Sequence, residues 1–270
     1  MSSALYVSQG GRFVSTELTR GPWDPGAQHA GPPAALIARE LERCPSPKGH
    51  AEWQIGRITY EILKPVPIAP LTVTVEVVRP GRSVELLSAS LTGDDGEFVR
   101  ASAWRLARGE LELPAGLASE DPDSPARRRV PAPLEQGTEA EFFATGQAVG
   151  YHTAMEYRFT EGQFRGLGPA TVWMRMRVPL VEGEEPSPLQ RVLVAADSGN
   201  GVSATLDWST HVFINVDLSV HLHRMPAGEW VCLDAVTIPE PTGIGLADTA
   251  LSDERGPIGR ALQTLLVRRR

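Results

Sequence analysis

The chain has 270 residues, 41% of them hydrophobic and 22% charged, an ordinary soluble globular composition with enough apolar material for one large domain or two small ones. A net charge of −7 and a pI near 5.5 argue against nucleic acid as a partner, since the basic clusters Arg127-Arg128-Arg129 and Arg268-Arg269-Arg270 are short. No window approaches the roughly 18 apolar residues of a membrane span and MSSALYVSQGGRFVS lacks the features of a signal peptide, so a cytoplasmic protein with no membrane partner is expected.

In chain order, GRFVSTEL predicts a strand and GPPAALIARELERC a helix. The helix opens with Pro32-Pro33, where no N–H is needed, and sets Ala34, Ile37, Ala38 and Leu41 on one face. Four strand-like segments follow, WQIGRITYEIL, LTVTVEVVR, VELLSASLT and FVRASAWRLA. Composition then changes in ELPAGLASEDPDSPARRRVPAP, residues 112–133, which is expected to be a linker between units at 1–111 and 134–270. Beyond it, TAMEYRF predicts a strand. SPLQRVLVAADSG predicts a helix with Leu189, Val192, Leu193 and Ala196 on one face, ending near Gly199, where a positive φ is easily reached. HVFINVDLSVHLHR, WVCLDAVTI, GLADTALSD and IGRALQTLLV complete the second series of strands. Cys44 and Cys232 belong to no C-x-x-C pair and are expected to be reduced thiols.

The two series superpose. Trp53–Ala107 lies against Phe213–Val267 without a gap, at a constant shift of 160 residues, with identities at Leu86/Leu246, Leu91/Leu251, Gly96/Gly256, Arg100/Arg260, Ala101/Ala261 and Leu106/Leu266. One helix with about five mostly antiparallel strands, twice, is an α+β pattern in which a curved sheet wraps a helix.

This order resembles the double-hotdog acyl-CoA thioesterases of the thioesterase II (TesB-like) group over nearly the whole chain. The specific part lies in the second half: an Asp ending the second helix, a small polar residue before D-x-S-x-x-x-H-R in INVDLSVHLHR, and a Gln in RALQTLLVR. The resemblance implies two tandem hotdog units and water-mediated hydrolysis of a fatty or other acyl thioester on CoA or a carrier protein. It implies no cofactor or metal, and pairing of chains into a dimer. Asp197, Asn215 and Gln263 take the positions that hold and activate the water. Asn215 stands where the family usually has Thr or Ser, and can still donate and accept.

The residues themselves point partly the same way. Asp197 is i+8 from Leu189 on the buried stripe, where a carboxylate is paired, hydrogen-bonded or functional; the alternative is a turn cap at Ser198-Gly199-Asn200. Gln263, in an apolar strand, needs partners, which Asp197 and Asn215 or a neighbouring backbone would supply. Ile214–His223 alternates strictly, so Asn215 faces away from the helix unless the strand bulges there. Gly31 is a candidate for close backbone approach to substrate at a helix N-terminus whose N–H groups would meet an oxyanion. His29 is expected simply to precede the first helix, with a role in shaping the acyl pocket or the CoA entrance as the alternative. Trp53, Trp104, Trp173 and Phe213 are candidate groove liners, each more often plain core.

Other chemistries fit less well. His221-x-His223 has no third metal ligand nearby. Asp217, Ser219 and His221 stand side by side on one strand, with no G-x-S-x-G elbow in the chain. GGR at 10–12 and GIG at 243–245 open no helix and are turn glycines. A hotdog hydratase would need a His with an acid at the helix, and a non-catalytic acyl-thioester binding protein would need neither. The first half carries Ile55 and Ala103 opposite Asn215 and Gln263, so one site per chain is expected, built mainly from the second half.

Overall fold

The structure, a computed structural model, describes residues 3–49, 52–125, 127, 130–140, 142 and 145–270; Arg128 and Arg129 lie outside them. Strands β1 (Tyr6–Gln9) and β2 (Arg12–Ser15) precede helix α1 (Gly31–Arg43), which is followed by β3 (Trp53–Ile62), β4 (Pro70–Arg79), β5 (Val84–Gly93) and β6 (Gly96–Ala107). The second half runs β7 (Thr138–Glu139), a short helix α2 (Tyr151–Ala154), β8 (Met155–Glu161), β9 (Ala170–Met176), α3 (Pro188–Ala196), α4 (Gly199–Val202) and β10 (His211–Asn215). It ends with β11 (Asp217–Leu222), β12 (Val231–Pro239), β13 (Ile244–Asp253) and β14 (Gly256–Arg269). Strand β9 has no counterpart among the sequence expectations. Its first five residues are all buried, so it lacks the alternation that marks a half-exposed strand.

All these strands join one antiparallel sheet in the order β1-β2-β4-β5-β6-β3-β11-β14-β13-β12-β9-β8-β7, with β10 also on β14. The block β2-β4-β5-β6-β3 is mirrored by β9-β12-β13-β14-β11, and the halves meet where β3 pairs with β11. At that seam Thr59 faces Ser219, its partner at the 160-residue shift, and the Ser219 hydroxyl donates to Thr59 Oγ1 at 3.0 Å. This is the double-hotdog α+β architecture. The shared turn glycines Gly96 and Gly256 open β6 and β14 with φ of 95° and 127°, a region that favours glycine.

The helices are buried inside the curve of the sheet. Ala34, Ile37, Ala38 and Leu41 of α1 and Leu189, Val192, Leu193 and Ala196 of α3 are all in the core, and the helices pack on each other. Where the start of α1 crosses the end of α3, a Cβ on Gly31 would lie 2.3 Å from the Val194 carbonyl oxygen. Tyr60 from β3 and Tyr151 from α2 donate to the carbonyls of Ala34 and Val194 at 2.9 and 2.7 Å, so each half secures its helix through a buried phenol. At the other end, Glu42 accepts from Ser187 and Gln190, and Glu184 accepts from Arg39.

The 112–133 segment has no strand and no α-helix among its described residues, yet it is docked: the Trp173 indole donates to Ala132 O and Arg255 pairs with Glu120. Both cysteines are free, and among the described residues no helix is long and apolar enough to cross a membrane.

Candidate active site

The second central helix is broken, and the break carries Asp197. Helix α3 ends at Ala196, Asp197 is its C-cap, and α4 restarts at Gly199. Gly199 does not end the helix through a positive φ, as the sequence suggested. Its role is spatial, because a Cβ there would lie 2.5 Å from Thr249 Oγ1. A break leaves backbone groups without helical partners, and Gln263 from β14 supplies them: its Nε2 donates to Asp197 O at 3.0 Å, and its Oε1 accepts from Asn200 N at 3.0 Å.

Asn215 reaches the same carboxylate because its strand bulges. Asn215 opposes Leu265 in one register, while Ser219 opposes Leu262 in the next, so one extra residue is inserted on this strand. The Val216 N–H donates to Thr264 O at 3.0 Å, and Asp217 accepts from Thr264 N at 2.6 Å, which fixes the bulge. The alternation therefore reverses: Phe213 is buried on one side of the bulge, Leu218, Val220 and Leu222 on the other, and Ile214 and Val216 are exposed. The strict pattern expected for Ile214–His223 is thus corrected, and Asn215 turns toward the helix break. Its Nδ2 donates to Asp197 Oδ1 at 2.9 Å and to Asp217 O at 3.1 Å.

Asp197 is 5% exposed and richly solvated by protein donors. Besides Asn215 it receives Gln263 Nε2 at 3.2 Å and the backbone N–H groups of Ala30 and Gly31. Burial nevertheless dominates these hydrogen bonds and pushes its carboxyl up to about 7. Its other oxygen, Oδ2, lies 3.1 Å from His29 Nδ1. Burial lowers His29 to about 3, so this contact joins a neutral imidazole to a carboxyl and is not an ion pair. His29 Nδ1 accepts from the Gly31 N–H at 3.1 Å, so the bond across this contact is made by the proton of the protonated Asp197 carboxyl, which donates to Nδ1. His29 is clamped by a stack on Tyr151, with ring centroids 3.8 Å apart, while Tyr151 also meets Ser198 Oγ at 3.0 Å.

The structure therefore brings Asp197, Asn215 and Gln263 together and adds His29, Tyr151 and Ser198, which sequence reasoning left out of the site. The clue to His29 was its place two residues before the Gly31-Pro32-Pro33 helix start, because Pro32 and Pro33 carry no N–H and the crossing of α1 over α3 brings this turn to Asp197. His29 and the first turn of α1 come from the first half, so both halves build the site. The backbone donors Ala30 and Gly31 are occupied by Asp197, and Gly31 also by His29 Nδ1 at 3.1 Å, instead of standing free for an oxyanion.

A cavity of about 540 Å³ opens on this cluster. Asp197, Asn215, His29, Ala30 and Ser198 line it, whereas Gln263, 1% exposed, and Gly31 lie behind the wall. Of the four aromatic liners considered from sequence only Phe213 lines it. Trp173 packs with Trp230 and Cys232, and Trp53 and Trp104 sit beside Arg105 and Arg79. Lys64, His211 and Arg270 share the cavity wall with a stacked pair, Trp23 and Trp208, whose centroids are 4.2 Å apart. A shallower depression of about 710 Å³ includes His221 and His223, but His223 Nε2 is on Pro257 O, and the described residues contain no cluster of metal ligands. The D-x-S-x-x-x-H-R residues secure backbone: Asp217 the bulge, Ser219 the seam, His223 β14, and Arg224 the β13–β14 turn through a bidentate pair with Asp253.

Such a fold, two fused hotdog units, is shared by solved proteins named as thioesterases. A protein named as a thioesterase II from Thermobifida fusca YX is 18% identical with a TM-score of 0.74, covering 100% of this chain and 98% of that one. The tesB protein of Mycobacterium avium subs paratuberculosis is 16% identical with a TM-score of 0.63, covering 97% and 95%. An acyl-CoA thioesterase II from Mycobacterium marinum is 14% identical with a TM-score of 0.59, covering 91% of each chain. No curated protein matches. Family models for the acyl-CoA thioesterase N-terminal and C-terminal domains match residues 19–106 and 124–267. The chain belongs to the acyl-CoA thioesterase family, and with it to the thioester hydrolases.

Proposed function

We propose that the protein hydrolyses acyl-CoA thioesters with a water activated by Asp197. The observation that carries this is a carboxyl at the cavity wall raised to about 7, where a general base is most effective near neutral pH. The water's oxygen bonds the thioester carbonyl carbon as its proton passes to Asp197. The C–S bond then breaks, the thiolate takes that proton, and free acid and thiol leave. Asn215, at the wall, orients Asp197 and the water. Gln263, behind it, holds the carboxylate and closes the helix break, so it is a positioning residue. His29 Nδ1, held by the Gly31 N–H, sits beside Oδ2 and accepts the carboxyl proton once Asp197 has taken it from the water. Lys64, His211 and Arg270 suit the anionic CoA end. Dimerisation of the chain belongs to the same proposal on the family likeness, and light scattering tests it.

Free-thiol release from short, medium and long acyl-CoAs tests the reading. The wild type is expected to turn over at least one chain length, with a rate rising through about pH 7, and Asp197→Ala, confirmed folded, is expected to lose about 10³-fold or more. Absence of thiol release from every chain length overturns it. The His29–Asp197 contact also meets the acid/base requirement of a hydratase. Enoyl absorbance followed in the same cuvette separates the two, since hydration consumes the enoyl group and frees no thiol.

A further inference from the structure

We propose that His29 is a catalytic residue, its Nε2–H the hydrogen-bond donor that meets the thioester carbonyl oxygen as charge develops there. This rests on the reading that Asp197 activates a water against an acyl thioester. The N–H groups at the start of the first helix are already taken, Ala30 and Gly31 by Asp197 and Gly31 also by His29 Nδ1. The side chains around Asp197 are committed as well. Asn215 Nδ2 spends its two hydrogens on Asp197 Oδ1 and Asp217 O, and Gln263 Nε2 gives to Asp197 O and Oδ1 from behind the wall. Tyr151 donates to Val194 O, which leaves the Ser198 hydroxyl to donate to Tyr151.

His29 Nε2 is different. Nδ1 accepts from the Gly31 N–H at 3.1 Å and so carries no proton, which puts the proton of the neutral ring on Nε2. Burial lowers the ring to about 3, so it stays neutral through the pH range of the reaction. Among the described residues Nε2 has no hydrogen-bond partner, yet it is not sealed in as the unpartnered Trp53 Nε1 and Tyr157 Oη are. It therefore has surface of its own, on a side chain that is 13% exposed and lines the cavity beside Asp197. The ring is fixed by its stack on Tyr151, by the Gly31 N–H at Nδ1, and by its backbone N–H on Thr19 O at 2.8 Å. A fixed donor open to the cavity needs no reorganisation when charge appears, the condition under which such a donor is worth most.

The two nitrogens belong to one ring, so a carbonyl oxygen held at Nε2 brings its carbon within reach of a water held at Asp197. As the water's oxygen bonds that carbon, the carbonyl electron pair moves onto the oxygen at Nε2 and Asp197 takes the water's proton. The protonated carboxyl then donates to Nδ1, and this bond polarises the ring and strengthens Nε2–H toward the negative oxygen. The Nε2 proton stays on nitrogen throughout. When the carbonyl re-forms, the C–S bond breaks and the thiolate takes the proton from Asp197.

Three variants separate the two nitrogens. His29→Asn keeps a polar atom near the place of Nδ1, His29→Gln keeps one near the place of Nε2, and His29→Phe keeps only the ring on Tyr151. In thiol release by the folded variants, kcat is expected to fall about 10²-fold or more in His29→Phe and His29→Asn with KM little changed, and to recover about tenfold in His29→Gln. A role confined to positioning Asp197 gives the reverse order, Asn above Gln, and overturns the inference. So does a kcat in His29→Phe within about threefold of the wild type. Infrared spectra of an acyl-CoA isotope-labelled at its carbonyl, bound to Asp197→Asn, read the same contact without turnover. The carbonyl band is expected below its position in water and should return toward it when His29→Phe is added, and a band that stays put overturns the inference. Normal thiol release by the wild type with an unmoved band sinks His29 as the donor and leaves the hydrolase standing. A band that moves with His29 while the wild type releases no thiol keeps His29 as the carbonyl donor and sinks the hydrolase.

Discussion

The two halves of this chain share a backbone down to its irregularities and differ in what they bury on it. The bulge that turns Asn215 inward has its counterpart at Ile55/Arg57 of β3, and the register shift at Leu251/Ser252 is matched at Leu91/Thr92, each at the 160-residue shift. The bulge is thus a property of the fold and precedes any chemistry. At the inward position the first half buries Ile55 and the second places Asn215; opposite the helix the first has Ala103 and the second Gln263. Helix α1 is continuous from Gly31 to Arg43, while its counterpart stops at Ala196 and restarts at Gly199. The first half spends its own buried charge on a closed pair, Arg105 and Glu85, in which Arg105 also donates to Cys44 O and Glu85 accepts from Ser46. One half closes its polar groups on each other, and the other leaves a carboxyl facing a cavity.

The largest effect should come from writing the first half's residues into the second. Asn215→Ile with Gln263→Ala is expected to lower kcat/KM for thiol release about 10³-fold. The loss should fall mainly in kcat, because Gln263 does not line the cavity and its removal disorders the carboxylate without touching substrate. Gln263→Glu, which keeps an acceptor for Asn200 N, should retain more stability than Gln263→Ala while staying slow. A loss confined to KM would show that these side chains act on binding. The converse substitution acts on the first half alone. Glu85→Ala strands a buried guanidinium and is expected to cost about 3 kcal/mol in thermal or urea unfolding, with kcat per folded molecule unchanged.

How much of this was legible in the sequence follows from the same comparison. Helix faces, turn glycines and the internal repeat rest on local periodicity, and the gapless alignment of Trp53–Ala107 with Phe213–Val267 matches the observed strands closely. Asp197 stood out as a carboxylate on a buried stripe. The bulge did not, because Ile214 and Val216 are apolar yet exposed, which disguises a shift of phase as strict alternation. Strand β9 was hidden by the opposite circumstance, burial without alternation. His29 could not be placed at Asp197 from spacing, since 168 residues separate them and only the crossing of α1 over α3 joins them.

The smallest effect, taken per pH unit, is also the one that ties the carboxyl's chemistry to its cost. Asp197 binds its proton more tightly in the fold, at about 7, than in the unfolded chain, at about 4. Between those values the native state holds more protons than the unfolded one, so stability falls as pH rises through that window. Asp197→Asn keeps an acceptor for Asn215 and Gln263 and removes the titration. The substitution should therefore matter least near pH 4 and gain about 1.4 kcal/mol over the wild type for each pH unit from there to about pH 7. His29, with its lowered value, titrates in the other direction, with stability rising from about pH 3 toward its unfolded value, but it is present in both proteins and largely drops out of their difference. Urea unfolding of the two proteins from pH 4 to pH 8 measures this difference, and thiol release measured over the same range in the wild type supplies an independent midpoint. That midpoint should fall near pH 7, where the stability difference levels off, if the group that destabilises the fold when ionised is the group that takes the water's proton. A rate that rises near pH 7 while the stability difference stays flat would assign the kinetic titration to some other residue and leave Asp197 as a cap on the helix break.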